Sequence, residues 1–141
     1  MADSRLPERG GAQIFADSRG KLTLVQFDEL SFDPTRAYVL DSIPVGGLRA
    51  GHASRAHHRL LLGISGRARV TLDNGHHTAE LELTAGDTLQ LPPGVWLEIE
   101  ALEERTAMLV FADGDYDPGD IERDRSALPL TDSSAPQTSS T

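Results

Sequence analysis

His52 and Ser54 are the two residues of this chain whose types and spacing point most directly to chemistry. They stand two apart in Arg49-Ala50-Gly51-His52-Ala53-Ser54. Side chains on a strand alternate with period two, so both face the same way. An imidazole titrating near about 6.5 both accepts and donates a proton at neutral pH, which makes His52 a candidate general base. No base stands at a predictable triad spacing from Ser54, so a serine nucleophile is not expected. Tyr38 is either an amphipathic barrel-lining residue or a hydrogen-bond donor. Arg36 and Arg49 carry planar, bidentate donors that suit an anionic group. Arg59 precedes Leu60, Leu61 and Leu62 and is expected to point inward, where its charge needs a partner, either Glu98 or an anionic ligand. Trp96 either stacks on a base or sugar face or forms the edge of the core. His57 and His58 are expected to be solvated in the turn after the strand, and His76-His77 to sit at a hairpin tip.

These residues need short strands to position them. Lys21 to Phe27, Arg36 to Leu40, Leu60 to Ile64, Arg67 to Leu72, Ala79 to Leu83 and Val95 to Glu100 all read as strands. Arg67 to Leu72 alternates cleanly, with Ala68, Val70 and Leu72 on one face. Asp73-Asn74-Gly75 between two such runs is a hairpin signal, because Asn and Gly accept positive φ. Gly86-Asp87 and Pro92-Pro93-Gly94 punctuate the next pair. No long segment carries a 3.6-residue apolar period, so the expected class is all-β, an antiparallel jelly-roll barrel. Pro118 to Ala127 is suited to a short helical turn or two.

At 141 residues the chain is expected to be one domain over residues 11–128, with tails at 1–10 and 129–141 that have nothing to bury. There is no cysteine, which fits a reducing compartment, and no signal peptide or membrane-length apolar run, so a cytoplasmic location is expected. A net charge of -9 argues against nucleic acid as a partner, while the cluster Arg49, Arg55 and Arg59 is still able to hold a phosphate ester.

Gly46, His52, Gly66, Gly86, Pro92 and Gly94 fall at the spacings of the two cupin signatures. Asp17-Ser18-Arg19-Gly20, Arg36-x-Tyr38, Arg49-x-x-His52-Ala53, Asn74-Gly75, Pro92-Pro93-Gly94-Val95-Trp96 with Glu98, and Tyr116-Asp117 follow in order. In this the chain resembles the sugar 3,4-ketoisomerases that act on dTDP-4-keto-6-deoxyglucose, the WxcM-like or FdtA-like cupins. The resemblance implies a metal-free homodimer that needs no cofactor, often with N-terminal strands exchanged between subunits. It also implies a sugar nucleotide in the barrel mouth, where a His-x-His pair and a Tyr move a proton between C3 and C4. In this chain the second histidine of the pair is Ser54, a Gln four residues beyond it is Arg59, and the His that follows the Trp is Leu97.

A cupin metal would need two or three His and a Glu; His52, Ser54, Arg59 and Leu97 do not supply them, so no metal is expected. The first expectation for function is proton transfer through an enediol with His52 as base. The alternatives are a repurposed pocket that cyclises or isomerises another small molecule in secondary metabolism, and a non-catalytic binding cupin. Given the three changed positions, dTDP-4-keto-6-deoxyglucose is expected to turn over slowly or not at all, and Ser54→His alone is not expected to restore the family's rate.

Overall fold

The computed structural model describes residues 10–130, built almost wholly from strands. In chain order these are β1 (Gln13–Asp17), β2 (Gly20–Leu24), β3 (Arg36–Leu40), β4 (Leu48–Ser54), β5 (Arg59–Ser65), β6 (Arg67–Asp73), β7 (Thr78–Thr84), β8 (Thr88–Leu91), β9 (Trp96–Ala101), β10 (Ala107–Ala112) and β11 (Ile121–Glu122). Two antiparallel sheets, ordered β3-β10-β5-β8 and β11-β4-β9-β6-β7, carry the core between them, while β1 and β2 pair only with each other. This is the expected jelly roll. Apart from residues 10, 129 and 130, the expected tails lie outside the described residues. No helix among the described residues is long and apolar enough to cross a membrane.

Period two explains the layers. On β6, Ala68, Val70 and Leu72 are fully buried, while Arg67, Arg69 and Thr71 are half-exposed. They pack with Leu61, Leu89, Met108 and Val110 of the facing sheet. Each buried Leu or Val contributes roughly 1.5–3 kcal/mol over an exposed one. The β6–β7 turn forms as its residues require: Gly75 has φ +90°, and the Asn74 side-chain oxygen accepts from the backbone N–H of His76 and His77, both at 2.8 Å.

Several elements differ from the sequence-based outline, including β1, which it did not name. The strand over Lys21 to Phe27 ends at Leu24, and Phe27 opens a 3-10 turn. β10 is absent from that outline, because its run Ala-Met-Leu-Val-Phe-Ala has no polar alternation; it lies between β3 and β5, and a central strand hides its period. The Pro118 to Ala127 segment forms two 3-10 turns, Pro118–Asp120 and Arg125–Ala127, around β11. Those turns bring the C-terminal segment back across the barrel mouth.

Candidate active site

A cavity of about 620 Å³ opens at the barrel mouth. β3 lines it with Arg36, Tyr38 and Leu40, alternate residues of one strand face, while β4 supplies Arg49, His52 and Ser54. Arg59 of β5, Leu97 of β9 and Val110 of β10 complete the barrel side, and Tyr116, Asp117, Asp120 and Arg123 close it from the C-terminal segment.

A bulge sets the aim of β4. Ala50 pairs with Glu98 and His52 with Leu97, so Gly51 is an extra residue on its strand. Ala50 and Gly51 both take positive φ, +66° and +76°. For Ala50 that conformation costs roughly 1–2 kcal/mol, a strain of the kind that gathers at functional sites. His52 follows directly, half-buried on the cavity wall. Burial, and next the positive charge of Arg59, hold its pKa below the ordinary histidine value; a backbone hydrogen bond at Ala50 acts in the other direction. Its buried Nδ1 has no partner among the described residues. The arrangement favours a neutral imidazole, the form a base needs.

Arg59 is only 3% exposed. Its Nη2 donates to the Val95 carbonyl at 2.9 Å, and its Nε and Nη1 find no partner among the described residues. Burial works against its charge, while Tyr38 and Asp120 support it. Glu98 is not its partner. Val95, Leu97 and Ile99 turn one face of β9 into the barrel, so Trp96 and Glu98 project from the other face and line no part of the cavity. Trp96 and Glu98, expected as substrate contacts, thus lie outside the cavity lining, whereas Leu97 does line it.

His57 also departs from expectation. It lines the cavity and its side chain is 16% exposed. Arg36 Nη2 lies 3.2 Å from its Nδ1, and Asp120 Oδ2 lies 3.4 Å from the same atom. Arginine only donates, so Nδ1 accepts from Arg36 and the ring proton sits on Nε2; the shorter contact decides against reading the Asp120 contact as an ion pair. His58 turns the other way, against Asp113 at 3.0 Å and stacked on Phe32. Adjacent residues face apart, and neither is a free surface imidazole.

The residue the sequence left unmarked is Asp120, 8% exposed in its 3-10 turn. Ser54 Oγ donates to its Oδ2, and Ala56 N–H donates to its Oδ1 at 2.6 Å. Tyr38 faces the Arg36 guanidinium, whose carbon lies 6.0 Å from the ring centre. Arg49 stands exposed at the rim. Among the described residues, no three His, Cys, Asp or Glu side chains gather as a metal site would require.

The chain matches a family model over residues 11–129, described as FdtA: WxcM-like, C-terminal. The TDP-4-oxo-6-deoxy-alpha-D-glucose-3,4-oxoisomerase of Aneurinibacillus thermoaerophilus is 29% identical over 109 residues, 76% of this chain and 78% of that one. Among solved structures, a double mutant of the QdtA 3,4-ketoisomerase from Thermoanaerobacterium thermosaccharolyticum, in complex with TDP, superimposes with a TM-score of 0.80 at 25% identity, covering 85% of this chain and 88% of that one. A histidine-to-asparagine mutant of the same enzyme, in complex with TDP-4-keto-6-deoxyglucose, gives 0.81 at 23% over 87% and 91%. Because the family model runs through nearly every described residue, this chain belongs to the FdtA, WxcM-like C-terminal family.

Proposed function

We propose that this protein is a nucleotide-sugar 3,4-ketoisomerase whose substrate is TDP-4-keto-6-deoxyglucose. The observation that carries this reading is His52, a half-buried imidazole held toward its neutral form on the wall of a cavity large enough for a small-molecule ligand. Next to a carbonyl a C–H proton is acidic enough for such a base. His52 takes the proton from C3, the electrons flow toward O4, and an enediol forms; the proton then returns at C4 and leaves the ketone at C3. Tyr38 is placed to donate to the oxygen where charge develops, with the Arg59 charge behind it. Arg36 and Arg49, joined by Arg123, give the mouth the cations a diphosphate requires. The reaction moves protons without net oxidation, so it needs no redox cofactor.

The test is to incubate the purified protein with TDP-4-keto-6-deoxyglucose and follow the sugar ring by NMR. The expected result is a 3-keto product, formed more slowly than by the curated relative because Ser54, Arg59 and Leu97 have changed. No conversion at micromolar enzyme over a day would sink the reading.

The working unit is a homodimer. Among the described residues, β1 and β2 pair as strands only with each other, and Phe15 and Leu22, opposite one another in the register, are 54% and 60% exposed. Ile14 leans the other way onto its own barrel, near Gly86. Apolar faces of this kind are covered in stable assemblies. Light scattering is expected to give twice the 15.2 kDa of one chain. Phe15→Glu with Leu22→Glu is expected to leave monomers, and a wild-type monomer at micromolar concentration would remove the proposal.

A further inference from the structure

We infer that Ser54, held by the Asp120 carboxylate, is the second proton-handling group of this site, carrying the oxygen-bound proton while His52 carries the carbon-bound one. The inference rests on the isomerase reading above and deepens it.

Ser54 shares the strand face of His52, two residues further along, and both line the cavity with Asp120. Its hydroxyl is held at both ends: Oγ donates to Asp120 Oδ2 and accepts from the backbone N–H of His57 at 3.0 Å. The other carboxylate oxygen is fixed by Ala56 N–H. Arg36, by donating to His57 Nδ1, steadies the residue whose backbone holds Ser54, so His57 is a positioning residue. A core role alone does not explain why a hydroxyl and a carboxylate, both nearly buried, are coupled on the wall of a ligand cavity.

Converting a 4-ketone to a 3-ketone relocates two protons. One leaves C3 and arrives at C4; its C–H electron pair forms the C3=C4 bond as the C4=O π pair moves to O4. The other leaves O3 and arrives at O4, and the O3–H pair then forms the new carbonyl. His52 accounts for the first. For the second, O3 and O4 sit on adjacent carbons of a planar enediol, and one hydroxyl can bridge them. Ser54 Oγ accepts the proton from O3 as it passes its own to Asp120 Oδ2, and the relay then runs back, Asp120 returning a proton to Oγ as Oγ protonates O4. Charge and atoms balance, and nothing is oxidised.

The experiment runs the reaction in D2O with NMR detection at C3 and C4, comparing wild type with Ser54→Thr, Ser54→Val and Asp120→Asn. Thr and Val are near in shape and both suit a strand, so they differ mainly in the hydroxyl. Wild type and Ser54→Thr are expected to isomerise. Ser54→Val and Asp120→Asn are expected to lose isomerisation by about 10²-fold while deuterium still enters C3 of recovered substrate, because His52 is intact. Val turning over like Thr would overturn the inference. So would exchange and isomerisation falling together in Ser54→Val while Ser54→Thr keeps both. Wild type showing neither exchange nor product would instead remove the isomerase reading on which the inference stands.

Discussion

His52→Asn is expected to abolish isomerisation to within about 10²–10⁴-fold below wild type while leaving TDP binding nearly unchanged. Asparagine keeps a polar group of similar reach in the half-buried position but cannot take a carbon-bound proton at neutral pH. The rate dependence on pH provides a second, independent readout. The pKa of His52 is lowered by burial and by Arg59, so the unprotonated base persists to a pH below the ordinary histidine range. On the acid side, the wild-type kcat/KM is therefore expected to hold its plateau past about 6.5 and fall only at lower pH. Removing the Arg59 charge takes away one cause of the lowering, and the acid limb is then expected to move up. An acid limb unmoved in Arg59→Met, or a His52→Asn enzyme with near-wild-type turnover, would show that another group is the base.

Arg59→Met is also the substitution with the largest expected effect on stability, and the effect has the opposite sign to its effect on turnover. A guanidinium 3% exposed, with Nε and Nη1 unpartnered among the described residues, is buried against one backbone hydrogen bond, to the Val95 carbonyl. Buried ionic groups replaced by apolar side chains of similar volume are often neutral or stabilising by about 1–4 kcal/mol. Asp120 would not be stranded by the change, because Ser54 and Ala56 N–H already satisfy its oxygens. The expected result is a higher denaturant midpoint with an unchanged slope, accompanied by slower turnover, since a positive charge lining the cavity is gone. A lower midpoint would mean that the charge is well satisfied and that its role is structural.

Most of the barrel could be read from the sequence because its strands carry period two or are bounded by Gly, Pro and Asn turns. The same period places Tyr38 with Arg36, and His52 with Ser54, on shared faces. It also puts Leu97 on the opposite face from Trp96 and Glu98, so those three were never able to line one cavity together; the signal was present in β9 itself. Asp120 and the inward turn of His57 had no such signal. The contact between Ser54 and Asp120 spans 66 positions, and it is made by a short 3-10 turn with no apolar rhythm. Local pattern reports which way a side chain leaves its strand. It is silent on which distant loop comes to meet it.

The extra residue at Gly51 bears on how this site can evolve. Because the register of β4 against β9 is already shifted between Ala50 and His52, the inward set beyond that point depends on the length of this segment. Loss of Gly51 would leave His52 opposite Leu97, whereas a single-residue insertion or deletion between His52 and Ser54 would turn those two side chains to opposite faces. Lineages sharing this strand are thus expected to exchange one side chain at a time between His52 and Ser54 and to keep the length of that stretch. Variation in the chemistry of the mouth should accumulate by substitution at fixed positions, and length polymorphism should be confined to the loops that cross it.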